Sequence, residues 1–528
     1  MAGVTAEQTA GDGGTARVSA LAVPLLAVMG GIQVVDPAIS SVALVKASND
    51  LGLSASTQAL AAGIATIALA ATVIPLGLVA DRRGRRAVLM AALLLAAAGD
   101  LVAAASPDAA VYLLGRVLAG VGLGAVFGAA YAYVRTVAGD RLAAALGTFG
   151  ALSGLVALVA GFLGGALANS SWRLAYLVVP VLSLASLLAV RPLLPRVPRL
   201  RGGKVDYLGL ALIAVATVGI LLGVSNASNR LAAAGTWAPV LVGLAALGLF
   251  ALVERRSDHA AFPIGLFARP VFVAAVVAGL GWDLAQAVAT LQLSNVWQYV
   301  ERYSTVAVAA GQLPLTLTVM VGALVVGRRL GAGASARSVL GLGFAAMALG
   351  FGSLLLVRPG SAYLVFLPAL LLVGLGLACA SVTQAKLYMA EAPAAEFGPV
   401  TSSKLTVGQF GYALGLASSS VLVSRLTFGG VTRRLLAAGV PPGETGQGLD
   451  AVVVFVRTQA RPSDLAGQLA LKQAAPSYVH AFGVAMLATA AFMLVVGAAC
   501  VLLLRRPRRD DAAAPAGAEA PTPAPARR

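Results

Sequence analysis

The stretch Gly77-Leu78-Val79-Ala80-Asp81-Arg82-Arg83-Gly84-Arg85-Arg86 separates two long apolar runs, at 56–79 and 87–105. Each run is long enough to cross a bilayer as a helix, which takes about 20 residues. The arginines of the connecting stretch are too costly to place in the hydrocarbon core, and short basic loops of this kind lie on the cytoplasmic side. The stretch therefore predicts an all-α polytopic membrane protein.

The composition of the whole chain agrees with this prediction. Of its 528 residues 59% are apolar and 11% are charged, and the mean hydropathy is +0.89. A soluble chain carries about a quarter charged residues. The net charge of +17 comes from Arg/Lys clusters that fall between apolar runs, as expected for cytoplasmic loops rather than for a nucleic-acid surface. We therefore expect a lipid bilayer and no nucleic acid as partner.

Fourteen apolar runs qualify as spans. They are 18–44, 56–79, 87–105, 110–134, 142–168, 174–190, 207–225, 238–253, 271–296, 305–327, 337–357, 361–386, 401–425 and 479–504. An even number puts both termini on one side, and the distribution of Lys and Arg, with Lys386 and Lys404 counted among the cytoplasmic cations, makes that side the cytoplasm. The predicted location is the plasma membrane.

A second glycine- and arginine-rich stretch, at 322–334, ends the tenth span and repeats the pattern of 77–86. This repetition favours two related six-helix halves with two inserted spans. The predicted organisation is a disordered cytoplasmic N-terminus (1–17), an N-terminal six-helix bundle (18–190), a basic cytoplasmic loop (191–206), two inserted transmembrane helices (207–253), a cytoplasmic loop (254–270), a C-terminal six-helix bundle (271–504) with an extracellular loop (426–478), and a disordered cytoplasmic tail (505–528). Within that extracellular loop, 449–456 and 464–472 are candidate short amphipathic helices.

The spacing of GLVADRRGRR closely resembles the G-x-L-a-D-r-x-G-r-[rk] signature of the major facilitator superfamily. Other segments resemble motifs of its fourteen-helix drug:proton antiporter subfamily, and these are Val35-Asp36 with Val42-Ala43-Leu44, Trp172-Arg173 with Pro180, Asp206-Tyr207-Leu208-Gly209, and Asn295–Val300 with Leu313-Pro314. The resemblance covers nearly the whole chain up to Leu504. It implies the major facilitator fold, with two six-helix bundles plus two inserted helices.

Two motifs of that subfamily are altered. The fourth-span pattern R-x-x-Q-G retains Arg116 and Gly120 but has Ala119 in place of glutamine. The fifth-span pattern G-P-x-x-G-G, a mark of exporters, occurs as Ala160-Gly161-Phe162-Leu163-Gly164-Gly165 and lacks its proline. Export is the expected direction, and proton-coupled uptake is the less favoured alternative.

Ionisable groups inside spans are costly and are candidates for function. Asp36 in the first span and Arg116 in the fourth come to similar depth, since the two spans run in opposite directions at about 1.5 Å per residue. The implied fold makes these helices neighbours, so that the two side chains could pair. We predict that Asp36, Arg116 and Asp283 of the ninth span couple transport to protons; a purely structural ion pair is the alternative. Asp100, near an outer end, is expected to snorkel to the interface.

Polar side chains at helical spacing mark the candidate substrate site. One stripe on the first span consists of Gln33, Asp36 and Ser40, and another on the ninth consists of Asp283, Gln286 and Thr290. Stripes of this kind are expected to face a water-filled cavity or another helix. Trp282 and Tyr412 are candidates for stacking on a flat ligand, with packing roles as the alternative. The predicted substrate ligands are Gln33, Ser40, Trp282, Gln286, Thr290 and Tyr412.

The resemblance also implies a gate. In the superfamily the loop that corresponds to 77–86 closes the cytoplasmic side when the transporter is open outward. Carried over to this sequence, the gating residues are Gly77, Asp81, Arg82, Gly84 and Arg85. A basic loop that serves only to fix the topology is the alternative.

The remaining sequence points to no enzyme. A G-x-x-x-x-G-K-[ST] phosphate loop does not occur, His259 and His480 are isolated, and the two cysteines lie in apolar runs. We therefore expect no cofactor, no metal and no catalytic residue. The predicted function is proton-coupled export of amphipathic small molecules by a monomer. Alternatives are a dedicated exporter of a lipid or secondary metabolite, and a sensor or scaffold without transport.

Overall fold

The computed structural model describes residues 19–53, 55–196, 206–230, 234–256, 262–392, 397–458 and 461–505, which form α-helices and no strand. The helices are α1 (Ala22–Asp50), α2 (Ala55–Arg83), α3 (Arg85–Ala104), α4 (Ala109–Ala138), α5 (Leu142–Ser170), α6 (Trp172–Ala175), α7 (Val178–Leu193), α8 (Tyr207–Arg230), α9 (Ala234–Arg256), α10 (Pro270–Tyr299), α11 (Thr305–Gly311), α12 (Leu313–Gly331), α13 (Ala336–Ser353), α14 (Leu367–Glu391), α15 (Phe397–Ala437), α16 (Thr445–Thr458) and α17 (Leu465–Leu503).

Fourteen helical segments in the described part of the chain are long and apolar enough to cross a membrane, which is the predicted number. The sixth combines α6 with α7 and the tenth combines α11 with α12. Their outward surfaces carry large apolar side chains such as Leu188, which is 79% exposed, and Leu342, which is 72% exposed. Apolar surface of this extent is stable only against lipid.

The segments α1–α7 pack together, as do α10–α17, and the hairpin α8–α9 packs on α2 and α15 beside the contact between the two groups. The groups meet where α5 crosses α12 and where α2 crosses α15. At the first crossing the backbones are close: a Cβ on Gly147 would lie 2.6 Å from the carbonyl oxygen of Ala323, and one on Gly327 would lie 2.8 Å from that of Ala143. Small residues at such crossings allow close helix contact in membranes.

The structure repeats itself where the sequence does. Arg82 and Arg83 occupy the last turn of α2, and Arg328 and Arg329 occupy the last turn of α12. Each helix is followed by a glycine with positive φ, Gly84 at 102° and Gly333 at 94°, a conformation that other residues rarely adopt. We call the side of the bundle on which α2 ends the Arg-rich face.

The segment 426–478, predicted as an extracellular loop with two candidate helices, is mostly helical. α15 continues to Ala437, α16 replaces the first expected short helix, and the second is the beginning of α17 at Leu465. These pieces share a small apolar core of their own, formed by Val431, Leu435, Val440, Ala466 and Ala470. The predicted disordered ends (1–17 and 506–528) and positions 197–205 of the basic loop lie outside the described residues.

Candidate functional site

The close crossing of α3 and α4 brings two charged side chains together inside the N-terminal half. Gly99 lies against the backbone of Ala119, and a Cβ on Gly115 would lie 2.5 Å from the backbone nitrogen of Ala103. Asp100 follows the first of these glycines and Arg116 follows the second. The small residues therefore let the two helices approach until the side chains of Asp100 and Arg116 meet.

Arg116 pairs with two carboxylates. Its Nη1 donates to Asp36 Oδ1 at 2.6 Å and its Nη2 to Asp36 Oδ2 at 2.8 Å, a bidentate geometry, while Nη1 also donates to Asp100 Oδ1 at 2.8 Å. All three side chains are buried, with 1% of Asp36, none of Asp100 and 1% of Arg116 exposed. We call Asp36, Asp100 and Arg116 the acidic cluster. The sequence analysis anticipated the contact of Asp36 with Arg116; the role of the pair in proton coupling stays a prediction.

Asp100 does not snorkel, and that expectation was wrong. Its side chain points inward to Arg116. The close crossing of α3 and α4 at Gly99 brings Arg116 within hydrogen-bonding distance of the Asp100 carboxylate. One guanidinium then faces two carboxylates in a region from which water is largely excluded. Asp100 Oδ2 and Arg116 Nε have no hydrogen-bond partner among the described residues. The cluster thus contains one carboxylate more than its cation neutralises.

A chain of hydroxyl groups lies against the acidic cluster. Tyr176 donates to Ser40 Oγ at 3.3 Å, and the hydroxyls of Tyr176 and Tyr112 share a hydrogen bond of 2.7 Å. The Arg116 guanidinium carbon lies 5.1 Å from the centroid of the Tyr176 ring. Trp172 packs edge-on against both tyrosine rings. Tyr112 lies in the first turn of α4, and α4 begins on the side opposite the Arg-rich face. The row of hydroxyl groups therefore extends from the cluster towards that opposite face.

A second charged site lies in the C-terminal half, where α10 packs on α15. A Cβ on Gly411 would lie 2.5 Å from the carbonyl oxygen of Leu280, and one on Gly408 would lie 2.6 Å from Asp283 Oδ2. Asp283 is half-buried although it lies in the middle of a 30-residue helix. A half-buried carboxylate at this depth fits a side chain that lines an internal cavity.

Lys404 accompanies Asp283, and the sequence analysis missed it. Its Nζ lies 5.0 Å from the ring centroid of Trp282 and 5.7 Å from that of Tyr131 on α4. No carboxylate of the described residues lies within 4.0 Å of it. The sequence analysis counted Lys404 only among the cytoplasmic cations; the structure places it two turns inside α15, which begins at Phe397. The glycines at 408, 411 and 415 are a signal that this face of the helix packs inward.

The six predicted substrate ligands separate into two groups. Trp282, Gln286, Thr290 and Tyr412 are half-buried around Asp283; the Thr290 hydroxyl donates to the Gln286 carbonyl, and the Tyr412 hydroxyl lies at the Thr290 side chain. Gln33 and Ser40 are instead buried within the N-terminal half, 8% and 4% exposed. The first-span stripe therefore faces other helices.

The predicted gating residues lie together at the Arg-rich face. Asp81 accepts from Arg85 Nε at 2.7 Å, and Arg85 Nη1 donates to Thr136 Oγ1 on α4 at 3.2 Å. Gly84 supplies the turn between α2 and α3, Gly77 is buried within α2, and Arg82 lies in its last turn. These contacts join α2, α3 and α4.

A contact between the halves closes the Arg-rich face next to these residues. Arg135, near the end of α4, donates through Nη1 to the carbonyl oxygen of Met389 at 2.8 Å and to that of Ala392 at 3.5 Å. The receiving carbonyls are at the end of α14 and just beyond it. Sequence reasoning did not find this contact, since a carbonyl acceptor leaves no sign in the sequence.

Comparison with known proteins shows the family of this chain. A sequence model of the Major Facilitator Superfamily matches residues 26–416. The puromycin resistance protein pur8 of Streptomyces alboniger is 30% identical over 79% of this chain and 83% of its own length. The multidrug efflux pump LfrA of Mycolicibacterium smegmatis is 26% identical over 92% of this chain and 95% of its own.

Among solved structures, the human organic anion transporter MFSD10 superposes with a TM-score of 0.57 over 91% of this chain and 97% of that one, at 14% identity. Likeness at this identity establishes the fold alone, and that fold agrees with the family match. With fourteen membrane-crossing helices and a family match over most of its length, the chain is a multi-pass membrane transporter and belongs to the Major Facilitator Superfamily.

Proposed function

We propose that this protein exports amphipathic small molecules across the plasma membrane in exchange for protons. The observation that carries the proposal is the acidic cluster, in which Asp36 and Asp100 share the single cation of Arg116. In a medium of low dielectric an uncompensated buried carboxylate is costly, and like-charged groups that share a site favour a bound proton. The cluster therefore holds a proton in one state and releases it in another.

The hydroxyl chain of Ser40, Tyr176 and Tyr112 gives this proton a route. It extends from the cluster towards the face opposite the Arg-rich face, which we take to be the extracellular side because the Arg and Lys clusters lie on the other. Both termini are then cytoplasmic. Protons enter from outside along the chain, and Asp283 in the cavity provides the second titrating carboxylate.

The substrate site in this scheme is the cavity between the halves, lined by Trp282, Gln286, Thr290 and Tyr412. The halves rock about the α5–α12 and α2–α15 crossings, as alternating access requires. When the cavity is open outward, Arg135 and the gating group Gly77, Asp81, Arg82, Gly84 and Arg85 close the cytoplasmic side. The protein works as a monomer.

Export of antibiotics is favoured by the relatives. One is named for puromycin resistance and another, from Amycolatopsis lactamdurans, is named a cephamycin export protein and is 29% identical over 73% of this chain. A dedicated exporter of one secondary metabolite is the second candidate, since the cephamycin protein is named for one compound class. A substrate panel separates the two: one exported compound class indicates a dedicated transporter, and many indicate a multidrug transporter.

The test is transport in proteoliposomes with an imposed pH gradient. We expect substrate to move against its own gradient, and a protonophore to stop it. Asp36→Asn should abolish this accumulation. Asp50→Asn is the matched control, because Asp50 lies on the same helix but is exposed at its end, where it accepts from Trp172 Nε1 at 2.7 Å. Accumulation that persists with the protonophore, or in Asp36→Asn at the rate of the control, contradicts proton coupling.

A further inference from the structure

Among the described charged residues near Asp283, Lys404 has no role in the proposed transport mechanism. Its side chain is half-buried about 10 Å along α15 from the helix start, and it lies between Asp283 and the Arg135 contact that closes the Arg-rich face. Among the described residues its ammonium has no hydrogen-bond acceptor and no carboxylate within 4.0 Å. A cation at this depth without such a partner is costly to maintain.

The surroundings of Lys404 partly stabilise its charge without using its N–H donors. The rings of Tyr131 and Trp282, one from each half, lie 5.7 Å and 5.0 Å from Nζ, within the range of cation–π attraction. The ring faces do not use the ammonium's three N–H donors. Those donors remain available for oxygen acceptors that the protein itself does not supply.

Other polar atoms at the same level also lack partners. The hydroxyl of Tyr131, which is 2% exposed, and the indole Nε1 of Trp282 make no hydrogen bond to described residues. The same holds for both amide atoms of Gln384, a fully buried residue that lies beside Gly279, one turn from Asp283. Buried polar groups are nearly always paired. Of these unpaired groups, the Tyr131 hydroxyl and the Trp282 indole belong to the two rings beside Lys404, and Gln384 lies beside Gly279 of the helix that carries Asp283.

We propose that Lys404 is the anion-binding residue of the substrate site, and that it pairs with a carboxylate of an amphipathic aromatic substrate. The substrate's flat apolar part lies between Tyr131 and Trp282, and its acidic group receives the ammonium's hydrogen bonds. This inference rests on the proposed export function and narrows it to organic anions and zwitterions. An amine on a zwitterion faces Asp283; a purely cationic drug is repelled by Lys404 when Asp283 is neutral.

The test compares two dyes that share a xanthene ring system, a fluorescein that carries a free carboxylate and a rhodamine ester that carries a net positive charge. In proteoliposomes with a pH gradient of the sign that drives export, the wild type should export the fluorescein faster than the rhodamine ester. Lys404→Met should lower fluorescein export about tenfold or more, as expected when a hydrogen bond to a charged group is lost, and should not lower rhodamine export. Lys404→Arg should retain the preference.

Lys386→Met is the matched control. Lys386 lies on the neighbouring helix α14, and its Nζ donates to the carbonyl oxygen of Leu330 at 3.1 Å rather than facing the cavity. The control should export both dyes at the wild-type rates. Equal fluorescein export by Lys404→Met and the wild type, or a wild-type preference for the rhodamine, overturns the assignment of Lys404.

Binding provides a readout that does not depend on transport. In detergent, fluorescein should quench the emission of Trp282, measured as the difference between the protein and its Trp282→Phe variant, and Lys404→Met should weaken this binding by the same factor. If rhodamine alone is exported with the gradient, the inference fails and the export function stands. If neither dye moves with the gradient, the export function fails, and the quenching result still decides whether Lys404 binds the anion.

Discussion

The acidic cluster of the N-terminal half and the Asp283–Lys404 site of the C-terminal half both contain charges at membrane depth, yet they are built differently. In the cluster, one guanidinium is bonded to two carboxylates at 2.6 to 2.8 Å and all three side chains are buried. In the second site, a carboxylate and an ammonium are half-buried and are not within 4.0 Å of each other. The first site is closed and tightly paired, whereas the second is open and loosely paired.

This difference indicates a division of labour. A buried cluster with one surplus carboxylate is suited to holding a proton, because its three side chains are bonded to one another and are almost fully removed from water. A site whose charges lack direct partners is suited to binding a substrate that supplies them. The two halves thus share a repeated fold, visible at Gly84 and Gly333, but differ in what their charged residues do.

The largest effect is expected from Arg116→Met. It leaves two buried carboxylates without their cation, and removing one partner of a buried ion pair costs about 3–5 kcal/mol of unfolding free energy. Thermal unfolding in detergent measures this loss. The triple variant Arg116→Met with Asp36→Asn and Asp100→Asn should recover most of it, since the surplus charge is gone. Equal instability of the single and triple variants would show that packing rather than charge holds the cluster.

Asp100→Asn should change the response to pH more than the stability. Under the proposed mechanism the folded cluster binds a proton that a carboxylate of the unfolded chain does not hold at neutral pH, and the wild type should therefore lose stability as pH rises. The variant retains the one-to-one pair of Asp36 and Arg116, and this slope should disappear. Unfolding midpoints across a pH series measure it. Parallel slopes in variant and wild type would mean that the cluster holds no extra proton.

Arg135→Ala should have a smaller effect, on the equilibrium between conformations. It removes the hydrogen bond to the Met389 carbonyl that joins the halves at the Arg-rich face, worth about 1–3 kcal/mol as a bond from a charged group. Spin labels on the Arg-rich ends of α4 and α14 should report a larger population of states open on that side. An unchanged distance distribution would exclude Arg135 from the gate.

The smallest effect on stability is expected from Lys404→Met, in contrast to Arg116→Met. Because Lys404 has no ion-pair partner among the described residues, its removal leaves no uncompensated bonded group, and the change in unfolding free energy should stay below about 1 kcal/mol. The same thermal measurement applies. A loss of unfolding free energy as large as that of Arg116→Met would mean that the charges of the two sites are paired in the same way, which contradicts the difference described above.

Sequence reasoning reached the fold and part of the acidic cluster. The family signature and the count of apolar runs established the architecture, and equal depth on antiparallel spans placed Asp36 beside Arg116. Asp100 was missed because its position near a span end suggested a short path to water. The pattern of Gly99 and Gly115 on two successive spans was the available sign of a close crossing that prevents this.

Two other features could not be obtained from the sequence. Sequence analysis counted Lys404 only among the cytoplasmic cations, and hydropathy does not reveal that its side chain lies beside Tyr131 and Trp282 inside the protein. The segment 426–478 is polar enough to suggest a loop, yet helices α15 and α17 continue into it and bury Leu435 and Ala470 against each other. In both regions the helix extends beyond the apolar run that predicted it.

The central claim is that the acidic cluster couples protons and the cavity binds substrate, and substrate counterflow in Asp36→Asn tests it most directly. Counterflow exchanges labelled for unlabelled substrate across the proteoliposome membrane and requires no net proton movement. The variant keeps Arg116 paired with Asp100, which mimics the protonated cluster. We predict counterflow near the wild-type rate together with loss of accumulation driven by a pH gradient. Loss of both activities with a folded protein, or retention of both, would contradict the division of labour between the two sites.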